Sequence, residues 1–141
     1  MITSDCIAII LAAGKGTRLN SDLPKVLHPI HHTPMIHRVI HSVNKAGIQE
    51  LCIVVGYKKD VVINACTPYT KHFVTQEPQN GTGHAVQCAL PILSQSTQTH
   101  TIVLAGDCPL IQPQTLLDLM ATHTKHNAAA TILSASLPDA K

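Results

Sequence analysis

IAIILAAGKGTRLNSDLPKVL, residues 7–27, is the stretch on which the reading of this chain turns. The apolar run from Ile7 to Ala13 has the length and aliphatic richness of a strand buried on both faces, as in a parallel sheet. It breaks into Gly14-Lys15-Gly16-Thr17-Arg18 and then reaches Leu23-Pro24-Lys25. Gly14 and Gly16 permit a positive φ and, lacking Cβ, admit a ligand close to the main chain. Successive N–H groups in such a turn form a concave anion site. Three fixed cations, Lys15, Arg18 and Lys25, accompany that turn. A strand that empties into a cation-loaded glycine turn suits phosphate. The alternative is an ordinary strand exit with solvated charges, because Leu19 interrupts G-x-G-x-x-G and no G-x-x-x-x-G-K-[ST] is present.

The rest of the chain repeats the alternation. Leu51–Val55, His72–Thr75, Thr101–Ala105 and Ala129–Leu137 are expected as further strands, with Leu51–Val55 and Thr101–Ala105 fully buried. Thr33 as N-cap and Pro34 at the first helical position open a helix carrying Met35, Ile36, Val39, Ile40 and Val43 on one face, closed by Gly47. Lys58–Cys66, Thr82–Leu93 with a break at Pro91, and a segment from Pro113 complete the helices. Strands alternating with helices predict an α/β fold, a Rossmann-like doubly wound, mostly parallel sheet. In such a sheet the ligand site lies beyond the carboxyl ends of the strands.

Composition narrows the function classes. The chain has 141 residues, 45% hydrophobic and 2% aromatic, with a net charge of +2. One domain with an aliphatic core follows. No apolar run approaches the ~20 residues of a membrane helix. No basic n-region precedes a cleavage site, so a cytoplasmic location is expected. The charge is too mild for a nucleic-acid footprint. Five cysteines without a C-x-x-C support neither a disulfide framework nor a zinc ribbon. His37 and His41 form an i, i+4 pair, read as a solvated helix face because a metal site needs more ligands.

Two further segments carry chemistry. Gln76-Glu77-Pro78-Gln79-Asn80-Gly81-Thr82-Gly83-His84 sets an amide beside two glycines, room for a flat nucleobase edge. As a plain turn, the same segment would use Thr82 as a helix N-cap. Asp107 follows a strand and Gly106 at the mouth of the expected crevice. One carboxylate there suits Mg²⁺, which takes its other ligands from water and substrate phosphates. An Asp turning the chain into Pro109 is the plainer reading.

L-A-A-G-K-G-T-R-L-x-S-x-L-P-K-V-L-H from Leu11 to His28, Q-x-x-x-x-G-T-G-H-A from Gln76 to Ala85, and G-D-x-P-L from Gly106 to Leu110 stand in that order. In these motifs the chain resembles the sugar nucleotidyltransferases, above all the uridylyltransferase domain of bifunctional N-acetylglucosamine-1-phosphate uridylyltransferases. The resemblance implies transfer of UMP from UTP to N-acetylglucosamine 1-phosphate, giving UDP-N-acetylglucosamine and pyrophosphate. It implies that Leu11, Ala12, Ala13 and Gly14 line the nucleoside and that Gln76, Gly81 and Thr82 hold the uracil. Arg18 and Lys25 would stabilise the phosphates, and Asp107 would bind Mg²⁺. The partners implied are these two small-molecule substrates, with neither nucleic acid nor membrane.

Two departures accompany the resemblance. His32 stands where the family usually has glycine, which bears on the turn into the first helix. The family's sugar-recognition residues and a second metal ligand come later in its chains, as does the acetyltransferase domain through which full-length members oligomerise. On this reading residues 1–141 are the N-terminal, nucleotide-binding part of a nucleotidyltransferase domain. A catalytically silent nucleotide-binding fragment, a related transferase with another base or acceptor, and a His-rich metal-binding module are the other readings the residues allow.

Overall fold

Two layers of apolar side chains, one on each face of a parallel sheet, account for nearly all of the buried residues. The computed structural model describes residues 2–136. In chain order, β1 (Cys6–Ala12) leads through two 3₁₀ turns, Thr17–Leu19 and Lys25–Leu27, to the short strands β2 (Pro29–Ile30) and β3 (Thr33–Pro34). Then come α1 (Met35–Lys45), β4 (Glu50–Val55), α2 (Lys59–Cys66), β5 (His72–Thr75), α3 (Gly81–Cys88), α4 (Leu90–Leu93), β6 (His100–Ala105) and α5 (Pro113–Lys125). The four long strands pair in parallel in the order β5-β4-β1-β6. The α/β sheet expected from the alternation is present. From β1 the chain builds outward through β4 to β5, then crosses to β6 on the other side of β1. That reversal is a topological switch point, and the crevice it opens lies beyond the carboxyl ends of β1 and β6.

The period-2 alternation along β1 and β4 sorts their side chains between the layers. Ala8, Ile10 and Ala12 of β1 and Leu51, Ile53 and Val55 of β4 meet Ile36, Val39, Ile40 and Val43 of α1, Val62 of α2 and Leu116 of α5. Ile7, Ile9, Cys52 and Val54 meet Ala85 and Ala89 on the opposite face. Burial pushes the thiols of Cys6 and Cys52 up to about 11 and that of Cys66 to about 12. These cysteines therefore stay protonated and inert at neutral pH. No helix of the described residues is long and apolar enough to cross a membrane.

Several local expectations hold. α1 ends on Gly47 at φ +85°, and the N–H groups of Gly47 and Ile48 return to the carbonyls of Asn44 and Val43 at 3.0 and 3.2 Å. This is the left-handed helix stop that glycine permits. The helical stretch around Pro91 divides at Ala89 into α3 and α4, as a proline lacking its N–H requires.

Others are corrected. Thr33 is not an N-cap: Ile30 and Thr33 pair across a two-residue hairpin, and α1 begins at Met35 after Pro34. The hairpin tip is His31-His32, at φ 47° and 64°. Both positions take the backbone that glycine or asparagine adopts most cheaply, so His32 costs strain while the turn survives. Thr82 lies inside α3, whose N-cap is Asn80. His37 is not simply solvated: its Nε2 donates to the Ala65 carbonyl at 2.9 Å, and its ring packs on Tyr69 at 4.9 Å.

The largest correction concerns β6. Residues 102–105 are as apolar as β1, yet among the described residues the strand lies at the sheet edge, with Val103 43% exposed and only Ile102 buried. The strand expected at Ala129–Leu137 is absent over residues 129–136, and Leu137 lies outside the described residues.

Candidate functional site

The loop after β1 is shaped around Lys25. Gly16 takes φ +66°, and a Cβ there would lie 2.6 Å from the Cβ of Lys25. The lysine stem thus rests against the glycine, and no other residue leaves room for it. Gly14 has no such constraint; its missing Cβ faces open space, as does that of Gly83. Lys25 itself opens a 3₁₀ turn anchored by buried Val26 and Leu27. His28 steadies that turn, its Nδ1 lying 3.1 Å from the Lys25 carbonyl and 3.2 Å from that of Pro24.

Asp107 is placed by β6. The N–H of Gly106 donates to the Leu11 carbonyl at 2.9 Å, and a Cβ on Gly106 would stand 2.9 Å from that same oxygen. Glycine therefore lets the end of β6 close against β1, which carries the next residue into the crevice. There the Asp107 carboxylate accepts a hydrogen bond from the Lys25 ammonium, 82 residues away in sequence. Both side chains keep solvent access, at 42% for Lys25 and 31% for Asp107.

Arg18 lies in the 3₁₀ turn Thr17–Leu19, which is framed by left-handed residues Gly16 and Asn20 and has no buried side chain. Leu11, Ala12 and Ala13 form the carboxyl end of β1 and its exit, with Ala12 and Ala13 buried and Leu11 half-buried. Gln76 extends the pairing of β5 with β4, its N–H donating to the Val55 carbonyl at 2.8 Å. Its side chain is buried, and Nε2 donates to the Gly81 carbonyl at 2.8 Å and lies 3.3 Å from Nδ1 of His84. Gln76 thus fixes the glycine turn at Gly81, where φ is +87°. Thr82 and Gly83 in the first turn of α3 are exposed. All these residues sit at the carboxyl end of the sheet.

Sequence reasoning passed over the turn after β4. The N–H of Tyr57 donates to the Ala13 carbonyl at 3.0 Å, and Gly56 packs so closely that a Cβ would lie 2.9 Å from Ala13 and 3.0 Å from Nε2 of Gln79. This turn joins the β1 loop to the β5 loop. The Tyr57 ring has Lys15 Nζ at 5.5 Å and Lys58 Nζ at 5.7 Å from its centroid, and Lys58 Nζ donates to the Asp22 carbonyl at 2.6 Å. The signal was available: Val55-Gly56-Tyr57-Lys58 repeats the strand–glycine–cation succession of residues 13–15.

An apolar groove of about 550 Å³ lies elsewhere, between the exposed face of β6 and α5, lined by Ile102, Leu104, Leu116, Met120 and Ile132. None of the expected site residues lines it. It exists because β6 lies at the sheet edge among the described residues.

A family model, the MobA-like NTP transferase domain, matches residues 8–137, and the chain belongs to that family. Among individual proteins, it is 45% identical over 130 residues to the bifunctional protein GlmU of Syntrophomonas wolfei, covering 92% of this chain and 28% of that protein. With the GlmU of Thermosynechococcus vestitus it shares 45% identity over 134 residues, 94% of this chain and 30% of the relative. The chain thus spans about three-tenths of the length of the curated relatives it matches. A solved nucleotidyl transferase from Methanothermobacter thermautotroptrophicus superposes with a TM-score of 0.68 at 22% identity, covering 82% of this chain and 56% of that one. Rv0371c from Mycobacterium tuberculosis gives 0.63 at 20%, over 87% and 62% of the two chains. At these identities the structural likeness speaks for the fold.

Proposed function

We propose that this chain is the nucleotide-binding part of a sugar-phosphate nucleotidyltransferase, taking UTP as donor and N-acetylglucosamine 1-phosphate as acceptor. The observation that carries the reading is the meeting of Lys25 and Asp107 beside a glycine turn whose Gly14 is open to solvent. A fold needs no glycine where a Cβ would face empty space, so Gly14 and Gly83 suit a ligand lying against the main chain. The family match and the GlmU relatives support nucleotidyl transfer, and the choice of sugar and base follows the resemblance of the three sequence motifs.

In this reading Leu11, Ala12, Ala13 and Gly14 line the nucleoside, and Gly81 and Thr82 border the uracil. Gln76 acts there partly by holding the Gly81 carbonyl in place. The acceptor's phosphate oxygen attacks the α-phosphorus in line and pyrophosphate leaves. Arg18 and Lys25 offset the charge that develops on the phosphoryl oxygens, and no protein nucleophile is required.

Asp107 fits a divalent metal of the kind phosphates share. Among the described residues no cluster of three or more His, Cys, Asp or Glu side chains stands ready to enclose an ion. A single carboxylate that leaves the remaining positions to water and phosphate is the habit of Mg²⁺. When bound, such an ion would supply positive charge that polarises the phosphoryl oxygens.

Calorimetric titration with UTP, CTP, ATP and GTP in the presence of Mg²⁺ tests the assignment. UTP should bind most tightly, because a site that pairs one base edge leaves buried polar groups unmatched by another. Equal or purine-favouring affinities would remove the uridylyl reading.

A further inference from the structure

Lys25 and Asp107 are each fixed at the backbone. The lysine stem lies against Gly16 and its turn is anchored by buried Val26 and Leu27, while Asp107 follows a glycine bonded to Leu11. Their head groups, still partly exposed, therefore meet by construction of the site rather than as a wandering surface pair. An ammonium that donates to a carboxylate has given up part of its capacity to donate to a phosphate. A carboxylate beside an incoming triphosphate is in turn a repulsive neighbour.

We infer that Asp107 holds Lys25 back from phosphate until a divalent cation takes the carboxylate, so that the metal switches on the lysine's contribution to nucleotide binding. The inference rests on the proposed function and concerns the regulation of the same site. Its content is an exchange of partners: the Lys25–Asp107 contact breaks, the carboxylate turns to the cation, and the ammonium turns to a phosphate oxygen. Simple electrostatics predicts the opposite trend. A cation placed on the phosphates lowers their charge, so any fixed lysine nearby should matter less in its presence. The sign of the effect therefore separates the two.

The experiment is a calorimetric titration of UTP into the 141-residue chain and its Lys25→Ala, Asp107→Asn and doubly substituted forms, with Mg²⁺ and with a chelator. Lys25→Ala should weaken binding by under about twofold without metal and by about tenfold with it, the scale of one charge-assisted hydrogen bond. In the Asp107→Asn background the tenfold loss should already appear without metal, because the lysine is free from the outset. That background also decides the matter where metal-free binding to the unsubstituted chain is too weak to read. A Lys25→Ala loss that is equal or larger in chelator, or an Asp107→Asn form whose affinity is indifferent to Lys25, would overturn the exchange while leaving the nucleotide site standing. Absence of UTP binding to the unsubstituted chain both with Mg²⁺ and in chelator would bring down the proposed function, and the exchange with it.

Discussion

Lys25→Ala and Arg18→Ala, introduced into a longer protein that carries this domain, are each expected to lower kcat by about 10²-fold or more, the scale for losing one preorganised electrostatic group. Lys25 is preorganised in a literal sense. Gly16 makes room for its stem, buried Val26 and Leu27 pin its turn, and His28 bonds the carbonyls around it. Arg18 differs, standing exposed on a short turn between two left-handed residues. Its contribution should therefore grow mainly as charge develops in the transition state, with UTP affinity falling much less than kcat. Steady-state kinetics of both variants reads this directly. A kcat that survives Arg18→Ala while KM alone rises would show that Arg18 binds substrate and transition state equally.

A larger loss is expected at Asp107. Asp107→Ala in the same longer protein should reduce pyrophosphate release by about 10³-fold or more, since a metal's stabilisation of phosphoryl charge amounts to several kcal/mol. Asp107 is the sole carboxylate in the segment between β6 and α5, so no neighbour in that turn can take its place. The loss should not be recovered by raising UTP. Near-normal pyrophosphate release by Asp107→Ala would move the metal, and with it the reacting phosphate, away from the end of β6.

How much of this was legible in sequence depended on how local the physics was. β1 was readable because a run of aliphatic residues buried on both faces has few other uses, and Gly47 because a helix stop is decided within a turn. β6 was misread for the complementary reason. Residues 102–105 are as apolar as a central strand, and composition does not record whether a neighbour exists on the second side. The expected strand is absent over residues 129–136 for a similar reason, since β-propensity in Ala-Thr-Ile-Leu forms no ladder without a partner. Thr33 and Thr82 have good capping side chains, but hairpin pairing claimed the first and Asn80 precedes the second.

The site divides along the same line. Lys25 and Asp107 were identifiable one at a time, each from its place after an apolar run. Their contact was not, because it depends on β6 crossing to pair with β1. The role of Gln76 changed in detail, from an amide offered outward to one bonded to the Gly81 carbonyl. Tyr57 and Lys58 were missed although they repeat the succession seen at Gly14.

Nucleotide is expected to occupy the crevice beyond β1 and β6, not the apolar groove behind β6. Amide chemical-shift mapping of the isotopically labelled chain with Mg²⁺ and UTP tests that claim most directly. The account predicts shifts concentrated in residues 11–25, 76–83 and 106–107, with little change at Leu116 and Met120. Shifts centred on Ile102, Leu116 and Met120, with residues 14–25 unmoved, would contradict it.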